Sequence, residues 1–182
     1  MKHLPKRIFL LTGAPSIGKT TIIIKTIEDL KEEEVSVGGM ISKEAREGNT
    51  RVGFEIIDLI NGKRGWLAHI NQKSGPKVGK YRINLADLEN IGAKAITQAI
   101  EKCSVVAIDE IGPMELYSQK FKGAARQALE SRKTVLAVVH YKARDLLITE
   151  AKQREDAELF TVTLVNRESL SQQLSKLVLR SV

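Results

Sequence analysis

Cysteine, aromatic residues and long apolar runs are all scarce in this chain of 182 residues, and each scarcity excludes a class of protein. The single cysteine, Cys103, cannot form an internal disulfide, and its position before an apolar segment predicts a buried side chain rather than a nucleophile. No apolar run approaches the roughly 20 residues that a membrane-spanning helix needs. The first seven residues lead directly into an apolar strand, so no secretory signal fits. These features predict a cytoplasmic protein without a membrane partner.

Basic residues outnumber acidic ones, and the excess is concentrated in one stretch. The formal net charge is +7, from 29 basic and 22 acidic residues, and residues 43–82 hold nine of the basic and four of the acidic ones. Such a surface can bind polyphosphate or nucleic acid, but the stretch has no run of aromatic residues on which bases would stack. A solvated basic face is therefore the default interpretation, and a nucleic-acid partner is the weaker alternative.

Residues 13–20 contain the complete pattern G-x-x-x-x-G-K-[ST] of a phosphate-binding loop. The apolar run 7–12 before it predicts a buried strand, and the segment 20–31 after it, free of glycine and proline, predicts a helix. Glycines let backbone amides point inward at an anion, and the helix N-terminus adds its positive end. Lys19 is expected to reach the β- and γ-phosphates, and the Thr20 hydroxyl to ligate Mg²⁺. The predicted nucleotide contacts are Gly13, Ala14, Pro15, Ser16, Ile17, Gly18, Lys19, Thr20 and Thr21.

A second apolar run, 105–108, ends in the acidic pair Asp109 and Glu110. A buried strand of this kind brings its last residues to the carboxyl edge of a parallel sheet, where open α/β folds bind ligands. We predict that Asp109 holds Mg²⁺ beside Thr20 and that Glu110 orients or deprotonates the attacking water. Taken alone, the two acids could simply begin a solvated turn. Together with the loop, they favour hydrolysis, with Lys19, Asp109 and Glu110 as the catalytic residues.

Apolar strands alternate with helical segments, which predicts an α/β fold of the P-loop NTPase type, with a mainly parallel sheet between helices in one domain, 1–182. Alternation around Phe54, the turn Asn61-Gly62 and the apolar pair Trp66-Leu67 predict an antiparallel β-hairpin insertion, within a basic region of about 43–82. A loop over 69–80 and a strand over 81–84 follow. The other predicted strands are 35–40, 105–109, 135–139 and 159–163, and the other helices lie near 86–102, 119–131, 143–154 and 168–180.

Five further residues are weaker candidates for the site. His140 follows a predicted strand at the ligand edge, where it would sense the γ-phosphate or hold the attacking water, or else be an ordinary surface histidine. Arg46 and Arg51 could reach a phosphate or stabilise transition-state charge, or be merely solvated. Arg154 and Asn166 could line a base pocket, although a loop arginine and a capping asparagine are ordinary features.

The two motifs and their surroundings closely resemble the archaeal and bacterial thermostable nucleoside-triphosphatase family, whose eukaryotic relatives are called cancer-related nucleoside triphosphatases. The most specific segments are Asp109-Glu110-Ile111-Gly112 with Met114-Glu115-Leu116, and Arg46-Glu47-Gly48 with Arg51-Val52-Gly53-Phe54. The resemblance implies Mg²⁺-dependent hydrolysis of ATP, GTP and other nucleoside triphosphates to diphosphate and phosphate, slowly and with little base discrimination. It also implies nucleotide contacts from the loop and from Val105, Val106, Ala107, Ile108, Asp109, Glu110, Ile111 and Gly112.

Two other functions stay open at this point. One is a nucleoside or nucleotide kinase on the same scaffold, which would need an acceptor pocket and a lid that carries arginines; the segment 111–116 after the acidic pair is poor in such donors. The other is a nucleotide-dependent switch, in which the basic region grips RNA or a protein. The oligomeric state, the physiological nucleotide and the pathway are not indicated by the sequence.

Overall fold

A computed structural model of the chain, which describes residues 4–182, contains one sheet of nine strands with helices on both faces. The strands are β1 (Ile8–Thr12), β2 (Val37–Glu47), β3 (Thr50–Asp58), β4 (Arg64–His69), β5 (Lys77–Val78), β6 (Tyr81–Ile83), β7 (Val105–Ile111), β8 (Thr134–Val139) and β9 (Ala157–Thr161). The helices are α1 (Lys19–Glu32), α2 (Leu85–Asp87), α3 (Lys94–Lys102), α4 (Gln119–Glu130), α5 (Leu146–Gln153) and α6 (Arg167–Leu179). A π-helical turn, Leu88–Ala93, joins α2 to α3, and a 3-10 turn, Glu115–Tyr117, follows β7. The strand order is β5-β6-β4-β3-β2-β7-β8-β1-β9.

The half of the sheet from β2 to β9 is parallel, and it separates two apolar layers. Within β1, Ile8 and Leu10 pack toward the layer of α3, α4 and α5, whereas Phe9 and Leu11 pack toward α1 and α6. Strands that are buried on both faces in this way consist of consecutive apolar residues, and for this reason they could be predicted from the sequence. The predicted fold class, a mainly parallel sheet between helices, is confirmed.

Two adjacent glycines, Gly38 and Gly39, let β2 lie close to its neighbours. A Cβ on Gly38 would stand 2.8 Å from both the Ala99 Cβ and the Cys103 Sγ, so α3 packs directly on this point of the strand. Gly39 has φ +109°, and a Cβ there would stand 2.9 Å from the backbone nitrogen of Ala107 in β7. Cys103 is buried as predicted, and burial raises the pKa of its thiol.

The insertion is antiparallel as predicted, but it consists of four strands in the spatial order β3-β4-β6-β5 rather than one hairpin; we call these four strands the meander, although β5 lies at the edge, outside β6. β2 pairs with β7 up to Ile41 and then continues as the partner of β3 to Glu47, so one strand belongs to both halves of the sheet. The prediction ended this strand at Met40 because the polar residues after it resemble a loop. These polar residues form a strand because their backbone groups pair with those of β3. The predicted loop 69–80 also contains the short strand β5.

The helix predicted near 86–102 is interrupted by the π-helical turn Leu88–Ala93, and the remaining differences are shifts at the ends of elements. α5 begins after Asp145, whose carboxylate accepts from the Leu147 amide at 2.9 Å, rather than at residue 143. Asn84 caps α2, since its side chain accepts from the Asp87 amide at 3.0 Å, so this helix begins one residue before the predicted residue 86. Within residues 4–182, no helix combines the length and the apolar character that crossing a bilayer requires. The prediction that no secretory signal fits depends in part on residues 1–3, which lie outside the described residues.

Candidate active site

The phosphate-binding loop leaves the carboxyl end of β1 and ends at the start of α1. Its two glycines have backbone conformations that other residues rarely adopt, with φ +148° at Gly13 and +110° at Gly18, and Ser16 also has a positive φ, +60°. A Cβ on Gly13 would stand 2.9 Å from the carbonyl oxygen of Val162, so the chain after β9 leaves no room for a side chain. The loop therefore presents backbone rather than side chains to the cleft, as a phosphate cradle requires.

Lys19 lies across the open side of the loop. Its ammonium group donates to the carbonyl oxygens of Gly13 at 3.0 Å and Ala14 at 2.9 Å. Lys19 is also the first residue of α1, so the positive end of the helix dipole lies at the same place. The ammonium group, the helix end and the loop amides together form a site for an anion with several phosphate groups.

Asp109 lies at the carboxyl end of β7 and is 1% exposed. One of its oxygens, Oδ2, has no hydrogen-bond partner among the described residues. The pKa of Asp109 is raised to about 7, chiefly by burial and also by the nearby Glu110, while a hydrogen bond with the Thr20 hydroxyl and the charge of Lys19 act to lower it. The structure therefore brings together Thr20 and Asp109, the two residues predicted to share a metal ion.

Glu110 and His140 lie side by side in the same cleft. Burial raises the pKa of Glu110, while His140 and Lys19 act in the opposite direction. The Nδ1 of His140 accepts from the backbone amides of Lys142 at 3.2 Å and Ala143 at 3.0 Å. Because Nδ1 is an acceptor, we assign the ring proton to Nε2, so that His140 offers an N–H donor to the cleft.

A cleft of about 720 Å³ connects these groups to the meander. Its floor and one wall are the loop, Asp109 and Glu110, while Arg46 and Arg51 line the wall formed by β2 and β3. Arg51 donates to Glu44 Oε1 at 2.6 Å and to the Tyr81 hydroxyl at 2.9 Å. Arg46 donates to the other oxygen of Glu44 at 3.2 and 3.0 Å. Both arginines thus face the loop across one cleft, and neither is merely solvated.

Glu115 is a buried acid of the cleft to which the sequence analysis gave no role. It is 3% exposed in the 3-10 turn after β7. Burial raises its pKa well above the usual range of a glutamate, and the nearby Glu110 and Asp109 raise it further. The signal that could have found it is an acid within the apolar segment 111–116.

Several predicted nucleotide contacts lie elsewhere. The first four residues of β7, 105–108, and also Ile111 are fully buried in the core and do not line the cleft, and neither does Gly112. Their role is to place Asp109 and Glu110. Ile17 lines only a smaller neighbouring cleft of about 170 Å³, whereas Thr21 lines both this cleft and the main one, as predicted for a loop contact.

The two residues predicted to line a base pocket lie in different parts of the fold, and neither of them lines either of the two clefts. Asn166 bonds the carbonyl of Thr161 and the amide of Thr163, both at 2.9 Å, and so shapes the turn next to the loop without lining either cleft. Arg154 pairs with Asp156 at 2.8 Å. Asp156 also pairs with Arg7, just before β1, which is the edge of the sheet opposite the loop. The placement of Arg154 in a base pocket is therefore corrected.

Comparisons with known proteins agree with the motifs. A sequence model of a family described as NTPase matches residues 8–175. The chain is 48% identical over 169 residues to the nucleoside-triphosphatase THEP1 of Thermofilum pendens, covering 92% of this chain and 93% of that protein. It is 44% identical over 173 residues to the protein of the same name from Methanosarcina acetivorans, covering 94% and 97%.

Two solved structures are similar over almost their whole length. The crystal structure of THEP1 from the hyperthermophile Aquifex aeolicus has a TM-score of 0.83 at 28% identity, covering 94% of this chain and 98% of that one. The solution structure of a human cancer-related nucleoside triphosphatase has a TM-score of 0.81 at 35% identity, covering 97% and 99%. The resemblance drawn from the motifs is confirmed.

Proposed function

The chain belongs to the nucleoside-triphosphatase family, and from that premise we propose that it hydrolyses ATP, GTP and other nucleoside triphosphates in a slow, Mg²⁺-dependent reaction with little base discrimination. One observation carries this proposal: the buried, unpartnered carboxylate oxygen of Asp109 lies in the same cleft as the Lys19 loop. A buried oxygen without a partner is costly unless a ligand satisfies it.

The residues present fit Mg²⁺. Thr20 and Asp109 provide hydroxyl and carboxylate oxygens, the ligands that this ion prefers, and we propose that both hold it. Among residues 4–182 no cluster of three or more His, Cys, Asp or Glu side chains could form a complete protein cage for a metal. Mg²⁺ does not need such a cage, since it commonly takes one or two protein oxygens together with phosphates and waters. Bound there, it would neutralise charge on the β- and γ-phosphates.

The side chains of this chain divide the remaining work. Lys19 and the loop amides bind the phosphates and fix their position. Glu110 orients a water molecule and accepts its proton as the water oxygen forms a bond to the γ-phosphorus. The bond from that phosphorus to the bridging oxygen breaks, and its electron pair leaves with the nucleoside diphosphate. The Nε2–H of His140, held by the bonds to Nδ1, donates to the water or to the γ-phosphate.

Broad specificity and slow turnover follow from what this cleft recognises. The loop and Lys19 contact the triphosphate, which all nucleoside triphosphates share, so these contacts do not select a base. An arginine on the transferred phosphoryl group raises turnover by about 10³–10⁵. Both arginines of this cleft instead form ion pairs with Glu44, and this arrangement supports a slow reaction because neither is free to contact the γ-phosphate.

The test is release of γ-labelled phosphate over a panel of ATP, GTP, CTP and UTP, with Mg²⁺ or with a chelator. We expect similar rates across the panel and loss of release with the chelator. A rate confined to one base, or unchanged by the chelator, would contradict the proposal. Label that moves to added nucleosides or monophosphates instead of water would favour the kinase alternative.

We propose one domain and a cytoplasmic location as well. One domain is supported by β2, which pairs with the parallel half of the sheet at one end and with the meander at the other. The location is supported by the buried, unpaired thiol of Cys103. Fluorescence of the tagged protein in living cells tests the location, and a signal confined to an extracytoplasmic compartment would contradict it.

A further inference from the structure

A charged cluster in the wall opposite the loop has no part in the hydrolytic steps. It consists of Arg46, Glu44 and Arg51, and we call it the arginine cluster. Glu44 accepts from Arg51 on one oxygen and from Arg46 on the other, which leaves a net charge of +1. Burial raises the pKa of Glu44, but the bonds from Arg51 and Arg46 outweigh this and lower it, so the carboxylate stays charged.

The register of the two strands places the two arginines side by side. Arg46 in β2 stands directly opposite Arg51 in β3, and like charges in that position repel each other. Arg51 is also fixed between two rings, with its guanidinium carbon 5.1 Å from the centre of the Phe54 ring and 5.8 Å from that of Tyr81. Two cations that lie close together and face a cleft, one of them held by two ring contacts, are suited to a divalent oxyanion.

The strand geometry separates the cluster from the hydrolytic centre. Ile41 of β2 pairs with Asp109, so Glu44 and Arg46 lie three and five residues further along the strand. At about 3.3 Å per residue this is roughly 10 and 16 Å beyond the level of Asp109. The cluster therefore faces a part of the cleft of about 720 Å³ that lies away from Asp109.

The wall next to the cluster is apolar, and it defines the rest of that molecule. Phe54, Leu67 and Val78 of the meander line it, with Met114 on the other side. We propose that the arginine cluster binds the phosphate, and this apolar wall the base, of a nucleoside monophosphate that occupies the cleft together with a triphosphate at the loop. Inorganic phosphate would satisfy the arginines but not the apolar wall, so it binds less tightly.

The proposal is tested by calorimetric titration of AMP into the protein saturated with Mg²⁺ and a non-hydrolysable ATP analogue, so that the loop is already occupied. The expected result is one AMP bound per chain, with inorganic phosphate binding at least 10-fold more weakly than AMP. Arg51→Ala should weaken AMP binding at least 10-fold. Arg51→Lys keeps the charge but loses the planar fork, so its affinity for AMP should lie between those of wild type and Arg51→Ala. The matched control is Arg64→Ala, which removes an exposed arginine of the same meander outside the cleft.

The outcomes separate this inference from the proposed function. No AMP binding to the analogue-loaded protein, or equal AMP affinity in wild type, Arg51→Ala and Arg64→Ala, would overturn the inference while leaving hydrolysis intact. Phosphate binding as tight as AMP binding would also overturn the inference, because the apolar wall would then contribute nothing to the affinity. If the analogue itself fails to bind, the proposed function is contradicted, and an AMP titration without analogue still tests the dependence on Arg51.

Discussion

Gly39→Ala is expected to destabilise the fold more than any surface change, because this glycine lies against the strand that carries the acidic pair. Its φ is +109°, and an added Cβ would stand 2.9 Å from the Ala107 nitrogen and closer still to the Ala107 oxygen. The backbone strain costs about 1–3 kcal/mol. The collision with β7 adds about 1–3 kcal/mol, since a paired backbone cannot move aside as a flexible side chain does. The expected loss in the free energy of unfolding is therefore about 2–6 kcal/mol.

Gly48→Ala is the matched control. Gly48 also has a positive φ, +56°, but an added Cβ would meet nothing within 4 Å. Only the backbone strain remains there, about 1–2 kcal/mol. Urea unfolding of both variants, followed by circular dichroism, measures the difference. Equal losses in the two variants would refute the claim that β2 lies too close to β7 at Gly39 for a side chain.

Two further predictions concern stability away from the cleft and rate within it. Asp156→Asn should cost about 2–4 kcal/mol at pH 7, because it removes the partner of Arg154 and Arg7. Burial raises the pKa of Asp156, but Arg154 and Arg7 outweigh this and hold it below its usual range. The carboxylate's contribution is thus full above about pH 4 and is lost as the pH falls through the lowered pKa, so urea unfolding should show the two proteins converging in acid. His140→Ala should lower kcat about 10- to 100-fold with little change in unfolding, and an unchanged rate would remove its N–H from the mechanism.

The parallel half of the sheet and the loop could be predicted from the sequence because their signals are local. Strands buried on both faces are continuous apolar runs, and the loop pattern specifies its own backbone. The acidic pair could be placed because it directly follows such a run. These parts of the site depend on chain direction and on the edge of the sheet, both of which the pattern determines.

The meander wall could not be predicted because its strand depends on a partner. Ser42, Glu44 and Arg46 alternate along the cleft face of β2, but only pairing with β3 turns this polar segment into a strand. The location of Arg154 could not be predicted either. Arg154 resembles a loop arginine in the sequence, and its partner Asp156 is only two residues away. The long-range pair of Asp156 with Arg7, which places both at the edge of the sheet opposite the loop, becomes evident only in three dimensions.

The most direct test of the central claim is Glu110→Gln, which keeps the size of the side chain and removes its ability to accept a proton. We expect unchanged ATP binding with Mg²⁺ and a fall in phosphate release of about 100-fold or more, whereas the exposed control Glu101→Gln should behave as wild type. Phosphate release at the wild-type rate in Glu110→Gln would mean that Glu110 does not accept the proton of the attacking water.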